Sequence, residues 1–143
     1  MITPGSSHRL PGDGSSLMDA VRVLIVDDTA QVRKDLRTIL PLAGEMSAMS
    51  IEIVGEAVDG YDAIRLAGEL RPDVILMDLN MPRLDGYCAT HEIKALYPNM
   101  KILVLTVHGS QDARLKACQA GADGFIEKGV LVTEIIHQIQ SFA

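Results

Sequence analysis

An α/β fold, with a parallel five-stranded sheet covered by helices on both faces, is what this sequence predicts. Three observations carry the prediction. Short apolar runs dense in Val, Ile and Leu recur from Val21 onward, each closed by Gly, Pro or a polar residue. Amphipathic stretches with helical spacing of apolar residues separate them. Five such strand–helix pairs follow in series, and right-handed crossovers between parallel strands distribute the helices over both faces.

The run Val21-Arg-Val-Leu-Ile-Val26 has the β-branched density of a buried parallel strand and stops at Asp27-Asp28. A helix follows with Val32, Leu36, Ile39 and Leu40 on one face, and Pro41 is expected to end or kink it. Residues 42–50 then read as a loop or a ragged helical extension. Ile51 to Val54 is the second strand, stopping at Gly55, and Asp59 N-caps a second helix with Ile64, Ala67 and Leu70 inward. Val74 to Asp78 is the third strand, apolar until its last residue. A turn from Met81-Pro82 to Gly86 leads into a third helix marked by Ala89, Ile93 and Leu96. Lys101 to Thr106 is the fourth strand, Asp112 to Ala120 the fourth helix, and Phe125-Ile-Glu a short fifth strand. The last helix spans Leu131 to Ser141, with Leu131, Ile135 and Ile139 four apart.

The chain has 143 residues, 48% of them hydrophobic, with no Trp and two Phe, so one aliphatic core is expected. Its net charge of −6, from 13 basic and 19 acidic residues, argues against a nucleic-acid-binding surface. No apolar run reaches the roughly 20 residues a membrane helix needs. Residues 1–20, rich in Gly, Ser and Pro and without a signal-peptide apolar block, read as a flexible tail; 21–143 form the single domain. Cys88 and Cys118 lack metal-ligand spacing and are expected to be reduced and half-buried, as in a cytoplasmic protein. His8, His91 and His137 have no partners at ligand spacing and are expected on the surface.

In open α/β sheets, ligands sit beyond the carboxyl ends of the strands. The residues there are Asp27 and Asp28 after the first strand, Asp78 at the third, Thr106 at the fourth and Lys128 after the fifth. Two unit charges about 4 Å apart at an effective dielectric of 20 repel by roughly 4 kcal/mol. Either some of these acids hold protons or a cation sits among them. Oxygen ligands of this kind suit Mg²⁺ or Mn²⁺. A plainer alternative, helix capping by Asp27 and Asp28, does not account for Asp78 and Lys128 at the same edge.

The runs Ile25-Val-Asp-Asp28, Leu76-Met-Asp-Leu-Asn-Met-Pro-Arg-Leu-Asp-Gly86, Leu105-Thr106 and Gly121-Ala-Asp-Gly-Phe-Ile-Glu-Lys128 resemble the receiver domain of two-component response regulators. Within it, Val54-Gly-Glu-Ala57 and Gly121 to Phe125 look most like the helix-turn-helix output subfamily, the LuxR/NarL type. The resemblance implies a flavodoxin-like sheet in the order 2-1-3-4-5. It also implies a signalling phosphoacceptor with slow self-dephosphorylation rather than an enzyme. Asp78 would take a phosphoryl group from a phosphohistidine of a sensor histidine kinase or histidine phosphotransfer protein. Asp28, Asp78 and the main-chain carbonyl of Asn80 would hold Mg²⁺, with Asp27 acting through water. Thr106 and Lys128 would bind the phosphoryl oxygens, and Thr106 with Phe125 would switch the surface of the fourth helix, fifth strand and fifth helix. His108, two residues beyond Thr106, would modulate dephosphorylation; its bland alternative is a solvated loop histidine.

The sequence departs from the family's pattern in three places. Phe125 stands where many relatives have Tyr, Gly129 where many have Pro, and the 41–50 segment is longer than usual. Gly129 is expected to loosen the bend and to lack the family's usual cis peptide. A haloacid dehalogenase-type phosphatase also forms an aspartyl phosphate but needs an acid where Asn80 stands. Phosphate-binding glycine loops of nucleotide-binding proteins are missing. The chain reads either as a stand-alone receiver or as a piece of a transcription regulator whose DNA-binding output domain lies elsewhere. Phosphorylation-dependent dimerisation is a further implication of the resemblance.

Overall fold

The computed structural model describes residues 19–130 and 132–142. The expected tail lies almost wholly outside this range, as do His8 and Leu131. The elements are β1 (Val21–Val26), α1 (Ala30–Met46), β2 (Ile51–Ala57), α2 (Gly60–Leu70), β3 (Val74–Met77), α3 (Gly86–Leu96), β4 (Lys101–Thr106), α4 (Gln111–Ala120), β5 (Gly124–Glu127) and α5 (Val132–Ser141). All strand pairs are parallel, in the order β2-β1-β3-β4-β5.

The two-residue period of a strand divides the core. Val23 and Ile25 of β1 join Leu76, Leu103 and Ile126 beneath α1 and α5, through Leu40, Ala43, Ile135, Ile136 and Ile139. Leu24 and Val26 point the other way, with Ile75, Met77 and Ile102, against Ala63 and Ala67 of α2 and Ala89 and Ile93 of α3. A third cluster lies under α4, formed by Leu79, Val104, Ala113, Ala117 and Phe125. Small residues on α2, α3 and α4 let those helices approach the sheet closely, and apart from Phe125 the buried hydrophobic residues described are aliphatic, as expected.

Three details differ from the sequence reading. First, α1 does not end at Pro41 but continues to Met46, so the helical extension, and not the loop, is the alternative that holds for much of the long 41–50 segment. Leu40 and Ala43 are buried against the sheet and α5, and that packing outweighs the missing N–H of Pro41. Gly44 lies tightly on the turn into β2, where a Cβ would stand 2.8 Å from the Met49 carbonyl oxygen. Ile39, expected inward, is 40% exposed. Pro41→Ala restores a donor for the Arg37 carbonyl and is expected to stabilise the fold by about 1–2 kcal/mol, part of the interior-proline cost being offset by a freer unfolded chain. Urea denaturation checks it.

Second, β2 runs past Gly55 to Ala57, with a bulge between the Val23–Ile53 and Leu24–Gly55 pairs. Gly55 is there for close approach, since a Cβ would meet Leu70 Cδ1 at 2.6 Å. Third, Cys88 and Cys118 are free and exposed rather than half-buried. Each lies one residue off an inward position, beside Ala89 and Ala117 respectively. His91 and His137 are exposed, as expected.

Candidate functional site

Main-chain hydrogen bonds carry the parallel ladder past the ends of the strands and so fix the residues that follow. The Asp27 N–H donates to the Ala57 carbonyl at 3.0 Å, that of Asp78 to Val26 at 2.9 Å, and that of Lys128 to Thr106 at 2.6 Å. The side chains therefore start from one rigid edge. Asp27, Asp28 and Asp78 each offer a carboxylate oxygen within 4.8 Å of the others. Asp27 and Asp78 are buried, whereas Asp28 is exposed.

Lys128 crosses the cluster, its Nζ 2.5 Å from Asp27 Oδ2 and 3.4 Å from Asp78 Oδ1. Asp27 Oδ1 also accepts the Thr29 N–H at 2.8 Å. Burial, and next the charge of Asp27, push the Asp78 carboxyl above its ordinary range, against the pull of Lys128. Burial disfavours the charged Lys128 amine, but the hydrogen bond to Asp27 and the charges of Asp78 and Asp27 outweigh it and leave it raised. The cation thus stays charged, paired chiefly with Asp27, and Asp78 is the less neutralised buried acid.

Thr106 is fully buried and its Oγ1 accepts the His108 N–H at 3.3 Å. The His108 side chain is exposed at the rim. Phe125 is seated between β4 and α4, with the Arg114 guanidinium 4.6 Å from its ring centroid. Gly129 has φ +100, a left-handed conformation closed to proline, and the described peptide bonds are all trans. The bend after β5 is thus a glycine feature rather than a looser version of a proline turn.

The loop after Asp78 is held tightly. Gly86 donates to Leu79 at 3.0 Å, and Leu84 to Pro82 at 2.8 Å. A Cβ on Gly86 would overlap the Asp78 carbonyl oxygen and lie 2.8 Å from Leu79 Cα. Asn80 is exposed within this loop, two residues past Asp78. Its outer part is fastened to α2: the Gly60 N–H bonds the Leu84 carbonyl at 3.0 Å, and the Arg83 guanidinium bonds Asp59 Oδ2 through Nε at 2.8 Å and through Nη2.

Beside β1, Glu56 takes Arg33 and Arg37, while Arg33 Nη1 donates to the Asp27 carbonyl at 2.6 Å. Hydrogen bonding from Arg37 lowers the Glu56 carboxyl below its usual range, against burial, with Arg33 adding to the effect. The sequence reading placed Asp59 as a cap and Gly86 as a turn but missed Arg83, Arg33 and Glu56. Their partners lie far along the chain, and no local spacing marks them.

A family model for the response regulator receiver domain matches residues 23–140. The chain belongs to that family. The receiver domain is 38% identical over 125 residues to YxjL of Bacillus subtilis, an uncharacterized transcriptional regulatory protein, covering 87% of this chain and 55% of that protein. It is 38% identical over 118 residues to the chemotaxis protein CheY of Thermotoga maritima, covering 82% and 93% respectively. Among solved structures, a LuxR-family two-component response regulator from Aurantimonas superposes with a TM-score of 0.77 at 32% identity, covering 86% of this chain and 84% of the other. The chain spans about half the length of YxjL, and the LuxR-type resemblance holds. No helix among the described residues is long and apolar enough to cross a membrane.

Proposed function

We propose that this receiver domain carries a two-component signal by taking a phosphoryl group on Asp78 from a phosphohistidine of a sensor kinase or phosphotransfer protein. The observation that supports it most is three carboxylates within 4.8 Å of one another, with a lysine amine 3.4 Å from Asp78. Such a set of hard oxygen donors fits Mg²⁺, and by the same chemistry Mn²⁺. Asp28, Asp78 and the Asn80 carbonyl would hold the ion, with Asp27 acting through water. When bound, it neutralises charge that builds up between the acids and the phosphoryl oxygens.

An Asp78 carboxylate oxygen attacks phosphorus, the new P–O bond forms as the P–N bond breaks, and the released imidazole nitrogen keeps the electron pair and takes a proton from solvent. The residues here mainly position and neutralise. Lys128 moves from Asp27 toward a phosphoryl oxygen, and the Thr106 hydroxyl, which only accepts from His108 in this structure, donates its proton to another. The group adds about −1.5 to −2 charge to the pocket. Drawing Thr106 toward the phosphoryl group vacates space for the ring of Phe125, which is buried between β4 and α4, and the α4–β5–α5 surface responds as a shift between existing conformations.

The domain acts as a stoichiometric acceptor in the cytoplasm. Its output is transcription regulation, through a DNA-binding domain or a downstream protein and with no nucleic-acid contact of its own, accompanied by pairing of two phosphorylated copies. His108 sits where it governs the approach of water to the acyl phosphate. A changed decay half-life of the phosphorylated His108→Ala variant is expected.

The site is tested by ¹H–¹⁵N NMR, since the absence of Trp rules out tryptophan fluorescence. Mg²⁺ is expected to shift the amides of Asp28, Asp78 and Asn80. Beryllofluoride added with Mg²⁺ should then move Thr106 and Lys128. Unchanged spectra at tens of millimolar Mg²⁺ would sink the proposal.

A further inference from the structure

We propose that the Asp59–Arg83 ion pair is a positioning device for the cation site, holding the β3–α3 loop so that the Asn80 carbonyl is presented to Mg²⁺. The inference rests on the site reading above. Four observations on one short segment carry it.

The Asp59 carboxylate is almost wholly buried, with 3% side-chain exposure, while the Arg83 side chain is 67% exposed. A buried carboxylate needs its hydrogen bonds satisfied. Oδ1 takes the Asp62 N–H at 2.8 Å as the α2 cap, and Oδ2 takes two nitrogens of Arg83. Arg83 has φ +68, a left-handed backbone that L residues other than Asn and Asp rarely adopt. Such a conformation persists where surrounding contacts impose it, and a forked guanidinium on a buried acid is such a contact.

The ion pair is reinforced by the main chain. The Gly60 N–H bonds Leu84, and a Cβ on Gly60 would come within 2.5 Å of the Leu84 carbonyl oxygen, so α2 begins directly against the loop. The loop is thus fixed at Leu79 by Gly86, and at Arg83 and Leu84 by α2. Asn80 lies between these anchors and is exposed, and Arg83 joins the Leu84 main-chain bond and the packing of Met81 and Leu84 on the core in confining the outer half of the segment that carries it. Ordering a liganding carbonyl before the ion arrives removes an entropic cost from binding, and outer supports of this kind typically change metal affinity ten- to a hundredfold.

The test measures Mg²⁺ affinity by NMR titration on the full chain, with thermal melts alongside. Arg83→Gly removes the guanidinium while favouring the positive φ, so the fold should hold. Asp59→Asn keeps an N-cap of equal quality and removes the charge. Each is expected to weaken Mg²⁺ about tenfold, the double variant no more than either alone, and Arg83→Lys less than Arg83→Gly. The Gly60 amide should exchange at least about tenfold faster in Arg83→Gly.

If the wild type binds Mg²⁺ and Arg83→Gly binds it equally well, the clamp is overturned alone, whatever Asp59→Asn does, because a loss confined to Asp59→Asn does not run through Arg83. A wild type that binds no Mg²⁺ overturns the cation site and the clamp with it.

Discussion

Asp78→Asn takes no label from a phosphohistidine donor that phosphorylates the wild type, and melts about 3–6 °C higher when both are compared without divalent cations. The first half follows from chemistry: an amide is no nucleophile toward phosphorus, and no neighbouring acid is equivalent. Asp27 is committed to Lys128 and the Thr29 N–H, and Asp28 is exposed at the rim. The second half follows from electrostatics. Two carboxylates about 4–5 Å apart at an effective dielectric of 20 repel by roughly 3–4 kcal/mol, and Lys128, nearer to Asp27, offsets only part of that for Asp78. A net gain of about 1–2 kcal/mol corresponds to the stated melting shift.

The pH dependence has a definite sign. The folded-state value of Asp78 is raised above the ordinary 3.8, so the folded protein binds its proton more readily than the unfolded chain does. The wild type therefore loses stability as pH rises from about 3.8 through that raised value, while the Asn variant does not. The advantage of Asp78→Asn should be full above the folded value, shrink as pH falls through it, and vanish below 3.8. A melting advantage that persists unchanged at pH 3 would show that packing, not charge, produces it. Labelled Asp78→Asn would move the acceptor to another residue.

Strand positions were the most legible part of the fold, because the buried parallel strands carry dense aliphatic stretches such as residues 23–26, 74–77 and 102–105. All five were found, and their order followed from the family resemblance rather than from the residues. At Pro41 the sequence left helix α1 open between an end and a helical extension because propensity is a local quantity, whereas the packing of Leu40 and Ala43 that carries the helix onward is tertiary. Gly55 misled in a related way: a glycine needed for the approach of Leu70 looks, in one dimension, like a stop.

Within the site, the residues that follow strand ends were legible because topology alone places them on one edge. Their allegiances were not. The preference of Lys128 for Asp27 over Asp78 depends on a difference of under an ångström, and the inward ring of Phe125 depends on how α4 packs. Supports such as Arg83 on Asp59 and Arg33 on the Asp27 carbonyl escaped entirely, since they join elements through side chains whose residue types are ordinary on any helix or loop.

Gly86→Ala is the substitution in which this local blindness matters most. In a helix, replacing glycine by alanine normally stabilises by about 0.5–1 kcal/mol, and Gly86 opens α3 with no positive φ to lose. Sequence reasoning alone would therefore recommend it. In the fold, the new methyl would overlap the Asp78 carbonyl oxygen and stand 2.8 Å from Leu79 Cα and 2.9 Å from the Asp78 carbonyl carbon. These are backbone atoms tied into the sheet by the Asp78 N–H to Val26 bond, so neither side can yield by turning a rotamer. Either α3 retreats and opens the contacts of Ala89 and Ile93, or Asp78 is driven out of register with Asp27 and Lys128. A loss of about 3 kcal/mol, the upper end for overpacking, is expected in urea denaturation, together with weaker labelling at Asp78. Gly68→Ala in α2 is the matched control. Its added carbon would meet only the Tyr97 hydroxyl, at 2.7 Å, the far end of a side chain that can move, so a change within about 1 kcal/mol of zero is expected. Equal effects from the two substitutions would mean that the start of α3 does not press on the phosphoacceptor backbone.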